Sequence, residues 1–340
     1  MTAPQNASMR ASAVIGGGAW GTALADLLAR NGHAVRLWAR EPDVVASIAG
    51  TQENTRFLSG VRLSEFIRPT LDVREAVDGA ELVVCAVPSE HLRTMVRALS
   101  GGIGRDTVVA VATKGIEPGT LRLMTDVVTD EVPEAAVVAL SGPSFAAEVA
   151  ARQPTAVVAA ASDESAAAVV QQAFASRQFR VYTHDDVIGV ELGGALKNVM
   201  AVASGISDGL GLGFNSRAAL ITRGLAEMTR LGVALGAQAA TFAGLAGLGD
   251  LVLTCTGPLS RNRSLGVEIG QGATLAEALA ARETVAEGVV TARSAWALAE
   301  RAGVDMPIVR AVNRVLYDGR PAREAIAELM ERELRAELDV

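Results

Sequence analysis

The chain has 340 residues, half of them apolar, 4% aromatic and 20% charged, with a formal net charge of −7. That is enough chain for two domains of roughly 150 residues each, with cores of Ala, Val and Leu. The acidic balance argues against nucleic acid or an anionic membrane as partner, but not against an anionic substrate held by a few local cations. Cys85 and Cys255 stand alone in small or apolar runs, without zinc spacing or a disulfide framework, which suits buried thiols in a reducing, cytoplasmic setting. Residues 1–11 lack the apolar stretch of a signal peptide. No run reaches the roughly 18 uninterrupted apolar residues of a membrane span.

In chain order, Ala13–Ile15 reads as a short strand running into glycines, and Gly21–Asn31 as a helix with Leu24, Leu27 and Leu28 on one face, stopped by Asn31-Gly32. Ala34–Trp38, Leu82–Val87, Thr107–Ala112 and Ala136–Leu140 read as further strands, with Thr155–Ala160 and Phe179–Tyr182 as two more. Strands alternating with helices predict a parallel sheet covered on both faces. His33 falls in an Asn-Gly-His turn and is expected at the surface. From about Glu191 the pattern turns helical: Leu220, Ile221, Leu225, Met228, Leu231 and Leu235 share one helix face, and Val289–Ala302 and Ala322–Leu338 read as helices. The expected division is 11–190, a Rossmann dinucleotide-binding domain, and 191–340, an all-α domain.

Gly16, Gly18 and Gly21 form G-x-G-x-x-G between strand and helix. Gly16 permits the turn, Gly18 lets backbone approach a pyrophosphate, Gly21 allows close helix–sheet packing, and the helix N-terminus faces the phosphates. The next strand ends in Trp38-Ala39-Arg40, followed by Glu41. Arg40 can pair with the 2′-phosphate of NADP; alternatively it is solvated and Glu41 serves NAD. NADP acceptance is favoured.

Ligands of doubly wound sheets bind beyond the strands' carboxyl ends. Here those ends carry Pro88-Ser89, then Lys114, then Ser141-Gly142-Pro143-Ser144. In the helical half, Lys197 stands in the small-residue stretch Gly193–Val199, with no other charge until Asp208. Burial and a nearby cation would lower its pKa and make it a general base. Asp250 is a lone carboxylate in the glycine-rich, apolar run Ala246–Leu251. Ser260, Arg261 and Asn262 form a polar set suited to a phosphate monoester. No cluster of metal ligands is evident.

These segments resemble the bacterial-type NAD(P)-dependent glycerol-3-phosphate dehydrogenase family. The resemblance rests on GGGAWGTALA (16–25), ATKG (112–115), SGPSF (141–145), GVELGGALKNV (189–199), LITRGLAEMTRLG (220–232), AGLGDLVLTCT (246–256) and SRNR (260–263), and covers nearly the whole chain. It implies a Rossmann domain followed by a helical domain, with the site between them. Lys197 matches the family's proton acceptor, and Lys114 and Asp250 stand beside it in the expected chemistry. Lys114, Gly142, Ser144, Asp250, Ser260, Arg261 and Asn262 match substrate contacts, the last two at the phosphate. Asn198 and Thr254 match residues lining the site. Ala19, Trp20, Arg40, Lys114, Ala146, Arg261, Val285 and Glu287 match dinucleotide contacts, although TVAEGVVT (284–291) follows the family pattern only loosely. The implied activity interconverts sn-glycerol 3-phosphate and dihydroxyacetone phosphate with NAD or NADP, supplying phospholipid synthesis; a homodimer is admitted. Two other readings stand: a dehydrogenase of a 3-hydroxy acid or of ketopantoate, and a non-catalytic dinucleotide-binding redox sensor.

Overall fold

The computed structural model describes residues 10–280, 282, 286–334 and 336–337. Eight strands form one sheet: β1 (Ala11–Ile15), β2 (Ala34–Trp38), β3 (Ile67–Thr70), β4 (Leu82–Cys85), β5 (Val108–Val111), β6 (Ala136–Ser141), β7 (Thr155–Ala160) and β8 (Phe179–His184). Their order is β3-β2-β1-β4-β5-β6-β7-β8. Every neighbouring pair is parallel except β6 with β7. The chain turns from one half of the sheet to the other between β1 and β4, which opens a crevice at their carboxyl ends.

Side chains alternate between two cores, as strand pleating demands. Val14, Val84, Ala110 and Val138 join one cluster; Ala13, Ile15, Val83, Cys85, Val109 and Val111 join the other. β3 is an element that the sequence pattern did not suggest. Its Ile67-Arg68-Pro69-Thr70 contains a proline, which a sheet tolerates at its edge, where β3 lies. The turn before β2 also departs from expectation: His33 is buried, its Nδ1 2.8 Å from Ser12 Oγ, and burial, seconded by Arg10, lowers its pKa.

The second half is helical. The change comes between His184 and Val187, slightly ahead of the expected division at 190/191. Asp186 fixes it by capping the helix Val187–Gly209: its carboxylate accepts from Gly189 N at 2.9 Å, and also from Gln238 N at 2.9 Å and Thr241 Oγ1 at 2.5 Å. That helix is the axis of the second core. The helices Phe214–Ala234, Asp250–Thr256, Arg261–Gly270, Glu287–Ala302 and Pro307–Tyr317 pack on it. By length and composition Val187–Gly209 and Ala239–Thr256 are each apolar enough to cross a bilayer, but 83% of the first span and 44% of the second are buried in the fold. The last helix, Ala322–Met330, stops short of Leu338, which itself lies outside the described residues. Met330 and Leu334 are exposed, so no apolar face remains to carry the helix on.

Small residues bring the helices Val187–Gly209 and Arg261–Gly270 into backbone contact. A Cβ on Gly205 would lie 2.0 Å from the Arg263 carbonyl oxygen, and one on Gly266 would lie 2.2 Å from that of Val202. Gly209 and Gly270 repeat the arrangement one turn on, at 2.3 Å from Val267 O and 2.4 Å from Ile206 O. The two domains are tied by Glu191 on the long helix. Its buried carboxyl accepts from the backbone N of Thr125 at 2.9 Å and from the Thr125 hydroxyl, at the start of the helix Met124–Glu131.

Candidate active site

The glycine turn after β1 has the geometry of a phosphate cradle. Gly16 has φ +128, and a Cβ there would meet the Ala86 carbonyl oxygen at 2.6 Å. A Cβ on Gly21 would lie 1.9 Å from the Gly16 carbonyl oxygen. Gly18 is different: nothing lies within 4 Å of the position its Cβ would take. It is the N-cap of the helix Ala19–Arg30, and no side chain caps that end. Open space in front of uncapped backbone N–H groups fits a pyrophosphate. Ala19 and Trp20 open this helix, and the buried Trp20 Nε1 has no partner among the described residues. These residues therefore fit a dinucleotide. Arg40 is exposed and donates to Glu41 Oε1 through Nε at 3.0 Å and an Nη at 2.8 Å. The two candidate ribose residues are thus one ion pair.

Across the crevice, the ends of β5 and β6 meet the long helix. Lys114, just after β5, reaches with Nζ to Asp250 Oδ2 at 2.6 Å and to the Gly142 carbonyl at 3.2 Å. Lys197 donates to the other oxygen, Asp250 Oδ1. A fully buried carboxylate therefore bridges two lysines from different domains. Burial lowers the Lys197 pKa to about 8; the Lys114 charge pushes the same way, while Asp250 holds it up. Gly194 gives this meeting its room, since a Cβ there would strike Ser141 Oγ at 2.5 Å and touch Lys114 Cδ at 3.5 Å. Thr254 Oγ1 donates to the Asp250 carbonyl at 2.6 Å, one turn back. Ser144 Oγ donates to Gly142 O at 3.0 Å, beside Ala146, the first residue of the helix Ala146–Ala150.

Asn198, the residue after Lys197 on the long helix, links this group to the polar set. Asn198 Oδ1 accepts from Asn262 Nδ2 at 2.9 Å, and Asn262 Oδ1 accepts from Gly288 N at 2.9 Å. Asn262 thus keeps one N–H for a ligand. Ser260 caps the helix Arg261–Gly270, its Oγ accepting from Arg263 N at 3.2 Å. Arg261 is at the surface beside Glu287, close enough that each affects the other's titration. Glu287 accepts from Ser89 Oγ at 2.9 Å, and loss of surrounding water pushes its pKa up to about 7 against the pull of Ser89 and Arg261. Val285 lies outside the described residues.

Two residues that the sequence marked only as strand ends, with no contact assigned, join the site. Ser89 binds Glu287 across the domain boundary. Ser141 is buried with an Oγ that has no partner among the described residues, against Gly194 and the stem of Lys114. Both sit at strand ends already marked by glycine or proline, a signal of position rather than of contact.

Comparison with known proteins agrees with this geometry. Residues 11–167 match the N-terminal part of the NAD-dependent glycerol-3-phosphate dehydrogenase family and residues 186–327 its C-terminal part. The chain is 56% identical over 328 residues to the glycerol-3-phosphate dehydrogenase [NAD(P)+] of Geobacter sp. (strain M21), covering 96% of this chain and 98% of that one. The crystal structure of glycerol-3-phosphate dehydrogenase from Coxiella burnetii superposes with a TM-score of 0.92 at 41% identity, covering 95% of this chain and 99% of that one. A ketopantoate reductase from Ralstonia eutropha, at 19% identity and a TM-score of 0.61 over 94% of this chain and all of that one, shares the fold alone. With its paired lysines, its phosphate-cradling turn and both family regions in place, the chain belongs to the NAD(P)-dependent glycerol-3-phosphate dehydrogenase family.

Proposed function

We propose that the chain interconverts sn-glycerol 3-phosphate and dihydroxyacetone phosphate with NAD or NADP. The observation that carries this reading is the pair of lysines sharing Asp250, with Lys197 next in sequence to Asn198, which pairs with Asn262 beside Arg261. In oxidation the neutral amine of Lys197 takes the proton of the C2 hydroxyl as the C2–H bond breaks and the C2 carbonyl forms. The nicotinamide, when bound, accepts the hydride, and in the reverse direction supplies it. Asp250 holds Lys197 and Lys114 in place together, and Lys114 keeps a free N–H for the C2 oxygen as its charge changes. Arg261 and the spare N–H of Asn262 bind the phosphate. That anchoring turns a chance encounter into a fixed approach of reacting atoms at about 3–3.5 Å. Gly142, Ser144, Thr254 and Ser260 line the same space; Ala146 and Glu287 flank the dinucleotide.

A substrate carrying a carboxylate in place of the phosphate would not need the Ser260-Arg261-Asn262 set, and a sensor without turnover would not need two lysines on one buried carboxylate. A cytoplasmic enzyme supplying glycerol 3-phosphate to phospholipid synthesis, acting as a homodimer, is the setting this reading supports. The test is dihydroxyacetone phosphate reduction followed by the absorbance of the reduced nicotinamide, with NADH and NADPH in parallel, beside ketopantoate and a 3-oxo acid. Turnover confined to dihydroxyacetone phosphate is expected. Faster turnover of either carboxylate substrate would refute the assignment.

A further inference from the structure

A cleft of about 610 Å³ opens at the far end of the helix Ala19–Arg30. At about 1.5 Å per residue, that end is roughly 18 Å from the glycine turn. Arg30 stands there with the Ser64–Phe66 approach to β3, Arg152 in the loop before β7 and Arg177 in the turn before β8. A hollow of about 480 Å³ continues from it, sharing Arg30 and Arg152 and adding Arg62 and Gln52. No residue of the active site takes part.

Four arginines thus line these hollows with one lining carboxylate, Glu65, and Asp26 behind Arg30, in a chain whose net charge is −7. Arg30 is held by Asp26 Oδ2 at 2.6 Å, and Arg62 donates to Gln52 Oε1 at 3.3 Å. Among the described residues the Arg152 and Arg177 side chains have no hydrogen-bond or ion-pair partner. Gln52 and Arg152 each end a short helix in a left-handed conformation, φ 55 and φ 60, which turns the chain at the cleft. Phe66 is 49% exposed and floors the cleft with an apolar ring. The volume is that of a small-molecule site. A concave basic hollow in an acidic surface suits a compact anion better than a polyanionic surface, which the rest of the molecule would repel.

We propose that this cleft binds a small phosphorylated ligand, with its phosphate on the guanidinium forks of Arg152 and Arg177 and its organic portion on Phe66. Guanidinium geometry matches phosphate oxygens in pairs, and these two forks are the ones free to do so. The helix Ala19–Arg30 then joins two phosphate sites, one at each end.

The test is equilibrium dialysis of radiolabelled inorganic pyrophosphate, and separately of phenyl phosphate, against the full chain saturated with NADPH. Arg261→Ala serves as the control for the substrate's own phosphate site. Binding of both probes is expected to survive NADPH and Arg261→Ala, and to weaken at least tenfold in R152Q/R177Q, with dihydroxyacetone phosphate reduction unchanged in that double variant. Phe66→Ala should weaken phenyl phosphate and spare pyrophosphate. Both arginines are exposed, so an unchanged melting temperature checks that the double variant is folded. Undiminished binding in R152Q/R177Q, or binding abolished by NADPH or by Arg261→Ala, overturns the proposal. Because the readout is binding, its failure is distinct from failure of the proposed activity.

Discussion

Lys197 keeps its ammonium where little water reaches it, and its pKa of about 8 follows from that. Oxidation of glycerol 3-phosphate needs the free amine, so kcat for oxidation should rise with pH through about 8; reduction needs the ammonium and should fall across the same range. Lys197→Met keeps the length of the side chain and removes the proton. It should lower kcat about 10³-fold, within the usual range for acid–base groups, while dinucleotide binding followed by fluorescence stays intact. A folded variant with unimpaired turnover would remove Lys197 from the chemistry. Arg40 supports a second residue-scale expectation. Its guanidinium is exposed and already faces Glu41, so turning it toward a 2′-phosphate requires only side-chain rotation. Arg40→Asp should raise the KM for NADPH about tenfold, worth about 1.4 kcal/mol, and leave that for NADH nearly unchanged. Equal losses with both cofactors would show that Arg40 does not read the phosphate.

Elements set where these residues stand, and the glycine turn separates folding from binding. Gly18 faces open space, so Gly18→Ala should leave the melting temperature unchanged while raising the dinucleotide KM tenfold or more. A fall in stability with unaltered KM would contradict the cradle. Gly205→Ala should do the reverse. Its Cβ would press on the Arg263 carbonyl oxygen, forcing two packed helices apart at a cost of about 3 kcal/mol in denaturant unfolding. Local patterns made many elements readable in advance. G-x-G-x-x-G announces its turn within six residues, and charges inside apolar runs marked Lys114, Lys197 and Asp250. β3 was hidden because Arg68 and Pro69 break a strand pattern that an edge strand does not need. The end of the last helix was hidden because helical periodicity persists past Met330, where burial no longer does.

At the scale of the whole molecule, contacts between domains decide the site, and these were not legible. Lys114 and Asp250 are 136 residues apart and Ser89 and Glu287 198 apart, so no local signal relates them. The resemblance supplied site membership for all but Ser89 and Ser141, yet not who holds whom. The Glu191–Thr125 tie is another such contact, and burial pushes the Glu191 carboxyl up to about 7 against the Thr125 hydrogen bonds. A carboxyl with a raised native pKa holds its proton longer in the folded state. The stability it contributes is therefore full below the ordinary value of 4.5 and is lost as pH rises through about 7. Glu227 and Glu287 are raised in the same sense, to about 7. Glu191→Gln, a neutral mimic, should flatten the fall in unfolding free energy between these pH values by up to about 3 kcal/mol. An unchanged slope would mean that Glu191 titrates as it does in the unfolded chain.

The glycine seam between Val187–Gly209 and Arg261–Gly270 has one more consequence. Lys197 and Asn198 ride on the first helix, Arg261 and Asn262 on the second, and the backbones touch too closely for either to slide. The spacing from the proposed phosphate anchor to the proposed base is therefore a constant of the helical domain, whatever the sheet domain does. On the proposed assignment it acts as a gauge of chain length: a hydroxyl one carbon from the phosphate-bearing carbon should come to rest at Lys197, and a homologue longer by one carbon should overshoot. Relative motion of the domains shifts both the nicotinamide and Lys114 and leaves that spacing unchanged.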